Sequence, residues 1–423
     1  MNPVLAFVVV MAVWTVSDLV AKKTKSILSS LFVASLIFLV GFLTNVFPDD
    51  LLSASSLLAL AGVVVGFIIV HLGTMISLDD FKKQWRTLLI GVAAVVGIGV
   101  SLLVAGLIFG GGHQPGAYDA VASQPLDYVI AGVGAVSGGT ISVLIIQEAA
   151  LGVGLTSVAI FPVLIVALQG LIGFPLSSVI LRREAARIKA ELRAAKLVEV
   201  TANVAGAPAA GAIPADPTAA SDEAAPVEPD VGRLPAALRT TPGTLMVVGL
   251  TVLVAIGANN LTDGVLNTFV VALILGITLR TTRVFKASVL AGIDSLGLMM
   301  LAILILVFGP LATVQLSDLA SLAGPLALAF VFGIAGIVGF TMVVGKLLGY
   351  SVPMSIAIGL TSLFGFPGTM ILSQEAARGA GETPEEVAAI EGQILPKMIV
   401  AGFSTVTITS VIVTSVIAGH IGG

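Results

Sequence analysis

Apolar residues in this chain fall in long runs near 2–20, 27–47, 56–77, 87–110, 127–151 and 155–181, and again near 242–261, 264–280, 288–313, 322–345, 353–377 and 388–418. A run of about 20 such residues can cross a hydrocarbon core of about 30 Å as a helix, pairing all its backbone groups internally. The alternating ten-residue segments of a membrane β-barrel do not occur in the sequence. Between the two sets of six lies a polar stretch, 182–240. It starts with Arg182, Arg183, Arg187, Lys189, Arg193 and Lys196, which read as a basic helical extension. It continues as an Ala/Pro/Asp/Glu tract that cannot bury a core and is expected to be disordered. The pattern thus predicts an N-terminal membrane repeat (1–181), a cytoplasmic linker (182–240) and a C-terminal membrane repeat (241–423).

Composition removes the competing classes. Of 423 residues, 57% are hydrophobic and only 10% charged, with a mean hydropathy of +1.11. Ordinary soluble domains carry about 25% charged residues. Net charge is −4, which argues against a nucleic-acid partner, and cysteine is absent, so thiolate metal sites and disulfides are excluded. Three histidines (His71, His113 and His420) and no HExxH, P-loop or GxGxxG pattern leave neither an enzyme nor a bound cofactor expected. The first run lacks a basic segment ahead of it and is followed by Lys22, Lys23 and Lys25, so it reads as a retained helix with its N-terminus outside.

Charge then decides how many runs cross. With Lys22, Lys23 and Lys25 inside, Lys82, Lys83 and Arg86 also fall inside, while Asp49-Asp50 and the loop 111–126 lie outside. Six full crossings would carry the basic start of the linker outside, against the positive-inside rule. Making 127–151 a re-entrant hairpin from the outside, and 353–377 one from the inside, corrects this. Of the 20 Lys and Arg residues, all but Lys397 then lie on the inner side. The expected fold is an all-α integral membrane protein of two inverted-topology repeats, each five transmembrane helices plus one re-entrant hairpin.

Internal similarity agrees. Gln147-Glu148-Ala149-Ala150-Leu151-Gly152-Val153-Gly154 recurs as Gln374-Glu375-Ala376-Ala377-Arg378-Gly379-Ala380-Gly381, and Phe161-Pro162-Val163 is echoed by Leu395-Pro396-Lys397. Weak symmetry around interrupted apolar segments is a signature of secondary transporters. The hairpins break at Ser137-Gly138-Gly139-Thr140 and at Phe364-Gly365-Phe366-Pro367-Gly368-Thr369. Unwound backbone at membrane depth exposes N–H groups that suit a carboxylate and carbonyls that suit Na⁺. Candidate substrate contacts are therefore Ser137, Gly138, Gly139, Thr140, Gly365, Pro367, Gly368 and Thr369, with Gln147, Gln374 and Lys397 in support. Candidate ion-coupling groups are Glu148, Glu375 and Asp294, since an intramembrane carboxylate is costly unless paired, protonated or hydrated. Glu375 can instead pair with Arg378 at the membrane surface or with Lys397, and His71 can be a packing residue or a pH sensor.

These residues resemble the sodium/glutamate symporter family. Ser137-Gly138-Gly139 is similar to the start of that family's first hairpin motif, Gly365-Phe366-Pro367-Gly368-Thr369 to its second, and 295–348 to the segment ahead of it. The resemblance implies a Na⁺-coupled homodimer in which a transport domain carrying the hairpins slides across the membrane. Thr140-Ile141-Ser142 replaces the family's His-Gly-Thr-like continuation, and Lys397 is not expected beside the proline, Pro396. The reading is thus a symporter of a small carboxylate or amino acid, coupled to Na⁺ or H⁺, in a bacterial inner membrane. A cation/proton antiporter is the alternative.

Overall fold

The computed structural model describes residues 1–75, 84–109, 125–138, 140–205, 233–235, 238–262, 266 and 268–421. All regular structure among the described residues is helical. The first half contains α1 (Pro3–Lys23), α2 (Ser30–Leu43), the single turn α3 (Leu51–Ala54), α4 (Leu57–Met75), α5 (Trp85–Phe109), α6 (Pro125–Val136), α7 (Thr140–Gly152) and α8 (Thr156–Ala205). The second half contains α9 (Thr241–Leu261), α10 (Thr268–Thr281), α11 (Leu296–Phe308), the short α12 (Leu316–Ser321), α13 (Ala323–Leu347), α14 (Val352–Leu360), α15 (Gly365–Ala380), α16 (Pro384–Phe403) and α17 (Ser410–Ala418). Seven helices among the described residues are long and apolar enough to cross a membrane.

Several expectations are corrected in detail. The run 27–47 forms only the 14-residue α2, and 264–280 only the 14-residue α10, each about 21 Å long and short of a full span. Polar residues inside the apolar run set the limits of α2: Ser29 caps its start by accepting from Phe32 N–H, and Asn45 turns the chain with φ +56° after Thr44. The run 288–313 becomes helical only at Leu296; the residues before it are turns. The anticipated boundary at 181/182 falls inside one unbroken helix, α8, which carries the basic extension to Ala205. The tract 206–232, Lys82, Lys83, the loop 110–124 with His113, and Gly139 lie outside the described residues.

The two halves pack through small residues. A Cβ on Gly97 of α5 would lie 2.4 Å from the Gly336 carbonyl oxygen of α13, and one on Gly336 would lie 2.1 Å from the Gly97 oxygen. Bare backbones therefore touch where these helices cross, as small-residue contacts between membrane helices permit. Without water to drive association in a bilayer, close dispersion contact of this kind does the work. His71, a buried residue of α4, accepts the Leu290 N–H at its Nδ1 (3.2 Å), and Thr74 Oγ1 accepts the Val289 N–H (3.0 Å). His71 is thus a satisfied packing residue that tethers the turn ahead of α11.

Both runs expected to be hairpins are broken. Each arm of the first is about 18–20 Å long, too short to span alone. The arms lie side by side, because a Cβ on Gly134 of α6 would sit 2.9 Å from the Ile146 side chain of α7. In an unfolded-out helix those residues would stand about 18 Å apart. In the second, Ser351 at the start of α14 donates to Glu184 Oε2 (2.6 Å), and Glu382, just beyond α15, pairs with Lys189 (2.6 Å) and Arg193 (2.7 Å). Both ends of the 352–380 segment therefore sit at the Arg-rich end of α8. Its break lies deeper: a Cβ on Gly173 would be 2.9 Å from Leu363 and 3.0 Å from Phe364. Gly173 is about 16 Å along the helix from Glu184. The first broken run meets the opposite end of α8, where Tyr128 packs edge-on against Phe161 (5.3 Å).

Candidate functional site

The two breaks meet. Gly138 has φ +91°, and a Cβ there would lie 1.8 Å from the Ser362 carbonyl oxygen, so the tip of one broken helix rests on the backbone of the other. Gly365, at the second break, has φ +54°. The missing Cβ positions of both glycines face the same side chain, each 3.1 Å from Val406 Cγ2. Val406 belongs to a π-helical turn, Ser404–Thr409, that separates α16 from α17. Such π turns interrupt the ordinary carbonyl ladder and recur at functional sites. Each break thus supplies a left-handed glycine, a conformation that costs other residues about 1–2 kcal/mol.

Hydroxyls surround the contact. Ser137 Oγ lies 2.7 Å and Ser142 Oγ 2.6 Å from Ser410 Oγ, and all three side chains are buried. Thr361 Oγ1 stands 3.3 Å from Thr405 Oγ1. Two further buried hydroxyls have no hydrogen-bond partner: Thr369 at the second break, and Thr414, which lies against Gly134 near the first. Gln169, one turn from Gly173 on α8, is also buried with its Oε1 unpaired. Unsatisfied buried polar atoms are uncommon and call for an occupant such as water, an ion or a ligand. An all-oxygen neutral set of this kind suits a hard monovalent cation such as Na⁺ better than a soft metal. Among the described residues no His, Cys, Asp and Glu come together as a metal cluster.

The expected residues separate into groups. Ser137, Gly138, Gly365, Pro367, Gly368 and Thr369 line or abut the meeting point; all but Gly138 are buried, and none carries a charge. Gly139 is outside the described residues, as are the side chains of Thr140 and Glu148. Gln147 is half-buried on α7; Gln374 turns away and donates to Glu391 Oε1 (3.2 Å). Glu375 pairs with neither Arg378 nor Lys397. Its Oε1 accepts the Ser30 N–H (3.0 Å) and the Ser30 hydroxyl, while its backbone oxygen accepts from Ser26 (3.1 Å). It therefore docks α15 onto the turn between α1 and α2. Asp294 lies in the turn before α11, with no hydrogen bond or ion pair linking it to the breaks among the described residues. Lys397 is at the basic end, its Nζ 5.7 Å above the Tyr350 ring.

Sequence reasoning missed Ser142, Ser362, Thr405, Val406, Ser410 and Thr414. A signal was present: Ser404-Thr405-Val406-Thr407-Ile408-Thr409-Ser410 places five hydroxyls within an otherwise apolar run. Neither protein-family models nor curated proteins give any match to this chain.

Proposed function

We propose that this chain is a secondary active transporter, a symporter for a small carboxylate or amino acid coupled to Na⁺ or H⁺, in which substrate binds between the tips of two re-entrant hairpins. The contact between Gly138 and the Ser362 carbonyl carries the reading. It joins two broken helices whose attached ends lie at opposite ends of α8, the arrangement that alternating access around a fixed central site requires. An inverted repeat is supported by element lengths: α1 and α9 have 21 residues each, α2 and α10 have 14 each, and α5 and α13 have 25 each. Orientation with the basic end and linker in the cytoplasm of a bacterial inner membrane follows from the positive-inside rule, and the homodimer from the family resemblance.

The neutral hydroxyls serve as coupling-ion ligands on this reading, with the freed N–H groups of the breaks receiving a substrate carboxylate. Because Ser137, Ser362, Thr369 and Ser410 are sealed from solvent, exchange with either side requires one hairpin to move. The antiporter alternative relies on Glu148, Glu375, Asp294 and Lys397 as one titrating set. Glu375, Asp294 and Lys397 lie in three separate places, so the symport reading is preferred. The test is thermal stabilisation of the purified protein by a panel of carboxylates and amino acids in Na⁺ and in K⁺. A hit in Na⁺ that is lost in Ser410→Ala supports the proposal. No shift in either salt removes it.

A further inference from the structure

A cavity of about 450 Å³ lies at the basic end, lined by Trp85, Arg86, Glu184, Arg187, Tyr350, Ser351 and Lys397 among others. It is separate from the helix breaks, which sit about 16 Å deeper along α8. Among the described residues its cationic groups outnumber its carboxylates. Glu184 is buried and already spoken for: it accepts from Arg187 Nη2 (2.6 Å) and Nε (3.1 Å) and from the Ser351 hydroxyl (2.6 Å). Arg187 also bonds Glu191, so this arginine is fully compensated. Arg86 and Lys397 form no ion pair among the described residues. Arg86 donates to the Leu348 carbonyl (3.4 Å) and stacks near Trp85 (5.5 Å); Lys397 lies over Tyr350. Lys397 is half-buried, following Pro396 inside α16. The carboxylate that shares its cavity, Glu184, is committed to Arg187 and Ser351, so Lys397 has no ion-pair partner of its own among the described residues.

Two features add to the positive field. The cavity wall includes Ser351 and Met354 at the N-terminus of the nine-residue α14; Ser351 Oγ caps the Met354 N–H and Pro353 has none, so it is the helix dipole that favours an anion there. Tyr350 and Trp85 supply apolar walls, and the volume exceeds what a bare inorganic ion fills while matching a small organic molecule. We infer that this cavity is a second ligand site, taking a small organic acid with one or two carboxylates from the solution on the basic side. Lys397 and Arg86 hold the acid groups, and the ligand bridges α5, α14 and α16 at the base of the second broken helix. Occupancy would brace that base, so the site is placed to set how readily the hairpin moves. The assignment does not depend on the transport reading.

Trp85 provides the assay, because the chain has only two tryptophans and Trp14 packs elsewhere, against Phe308. In Trp14→Phe protein, purified in detergent, succinate is titrated against chloride at constant ionic strength while Trp85 emission is followed. The expected result is a saturable change with succinate only, its midpoint raised at least tenfold by Lys397→Gln and by Arg86→Gln. A linear response, or one unaltered in both variants, overturns the site. Lys397→Met guards against a folding artefact: it must also lose the response while keeping the parent's gel-filtration profile. If succinate is silent and emission instead changes only in nanodiscs containing anionic phospholipid, the cavity holds a headgroup phosphate and the organic-acid assignment is wrong. Binding at this cavity stabilises the protein equally in Na⁺ and in K⁺ and survives Ser410→Ala, whereas the transport site requires a Na⁺-dependent shift that Ser410→Ala abolishes, so the two proposals fail separately.

Discussion

Replacing Gly138 by alanine tests the meeting of the two breaks directly. The new Cβ would lie 1.8 Å from the Ser362 oxygen and 2.9 Å from its carbon, and both are backbone atoms that cannot rotate aside. Gly138 also has φ +91°, so the substitution carries left-handed strain of about 1–2 kcal/mol in addition to the collision. Forced overpacking of this kind costs about 1–3 kcal/mol. Gly154, between α7 and α8, is a matched control: φ is +77°, but a Cβ there meets nothing within 4 Å. Gly154→Ala therefore reports strain alone. The difference between the two variants isolates the contact, and at ~2–4 °C per kcal/mol it amounts to several degrees in apparent Tm. Thermal unfolding of both proteins in the same detergent measures it, and ligand stabilisation is expected to disappear in Gly138→Ala alone. Equal Tm losses in the two variants would mean that the tips do not touch, and the proposed site would lose its foundation.

The remaining expectations concern the supporting shell. Glu375→Ala leaves the Ser30 N–H without its acceptor and should cost about 1–3 kcal/mol of stability, whereas Glu375→Gln retains Oε1 and should unfold near the parent. Transport that survives in Glu375→Gln would assign the carboxylate a docking role; loss of transport with intact stability would restore it as a coupling group. The cluster of Lys189, Arg193, Glu382 and Glu386 fixes the pH response where the end of α15 meets α8. Hydrogen bonds from Lys189 and then Arg193 lower the Glu382 pKa to about 2, and Arg193 lowers that of Glu386. Because these pKa values are depressed on folding, the stabilisation is present above about pH 4.5 and is lost as pH falls toward 2. Amide exchange across 379–386 should accordingly be flat from pH 7 to 5, after correction for intrinsic rates, and lose protection only below. Exposed pairs contribute little, so a large global Tm change over pH 7 to 5 would contradict this account. Gly336→Ala, with its Cβ 2.1 Å from the Gly97 oxygen, should destabilise by about 1–3 kcal/mol and alter the α5–α13 crossing. A disulfide-trapping pattern across that crossing identical to the parent would refute it.

How much of this was readable beforehand differs by feature. The membrane class, the helical runs and the two break positions were legible because each is a local property. Apolar length sets a span, Gly-rich stretches interrupt a helix, and basic residues resist transfer across a bilayer. Element ends were less legible. The truncation of α2 and the late start of α11 depend on caps and turns formed by Ser29, Asn45 and the contacts of His71 and Thr74 with a segment more than 200 residues away. The role of Glu375 was hidden for the same reason: its partner, Ser30, is 345 residues distant.

The apolar runs and the two glycine breaks within them are written in the chain itself, since periodicity, charge and backbone freedom are local properties. That Gly138 touches Ser362, that Ser410 bridges Ser137 and Ser142, and that Val406 lies between both tips emerges only once the chain is folded. Only then, too, does Lys397 face a basic cavity and not the breaks. A side chain's chemical role depends on which distant atoms close around it, and hydrophobic patterning does not encode those pairings residue by residue.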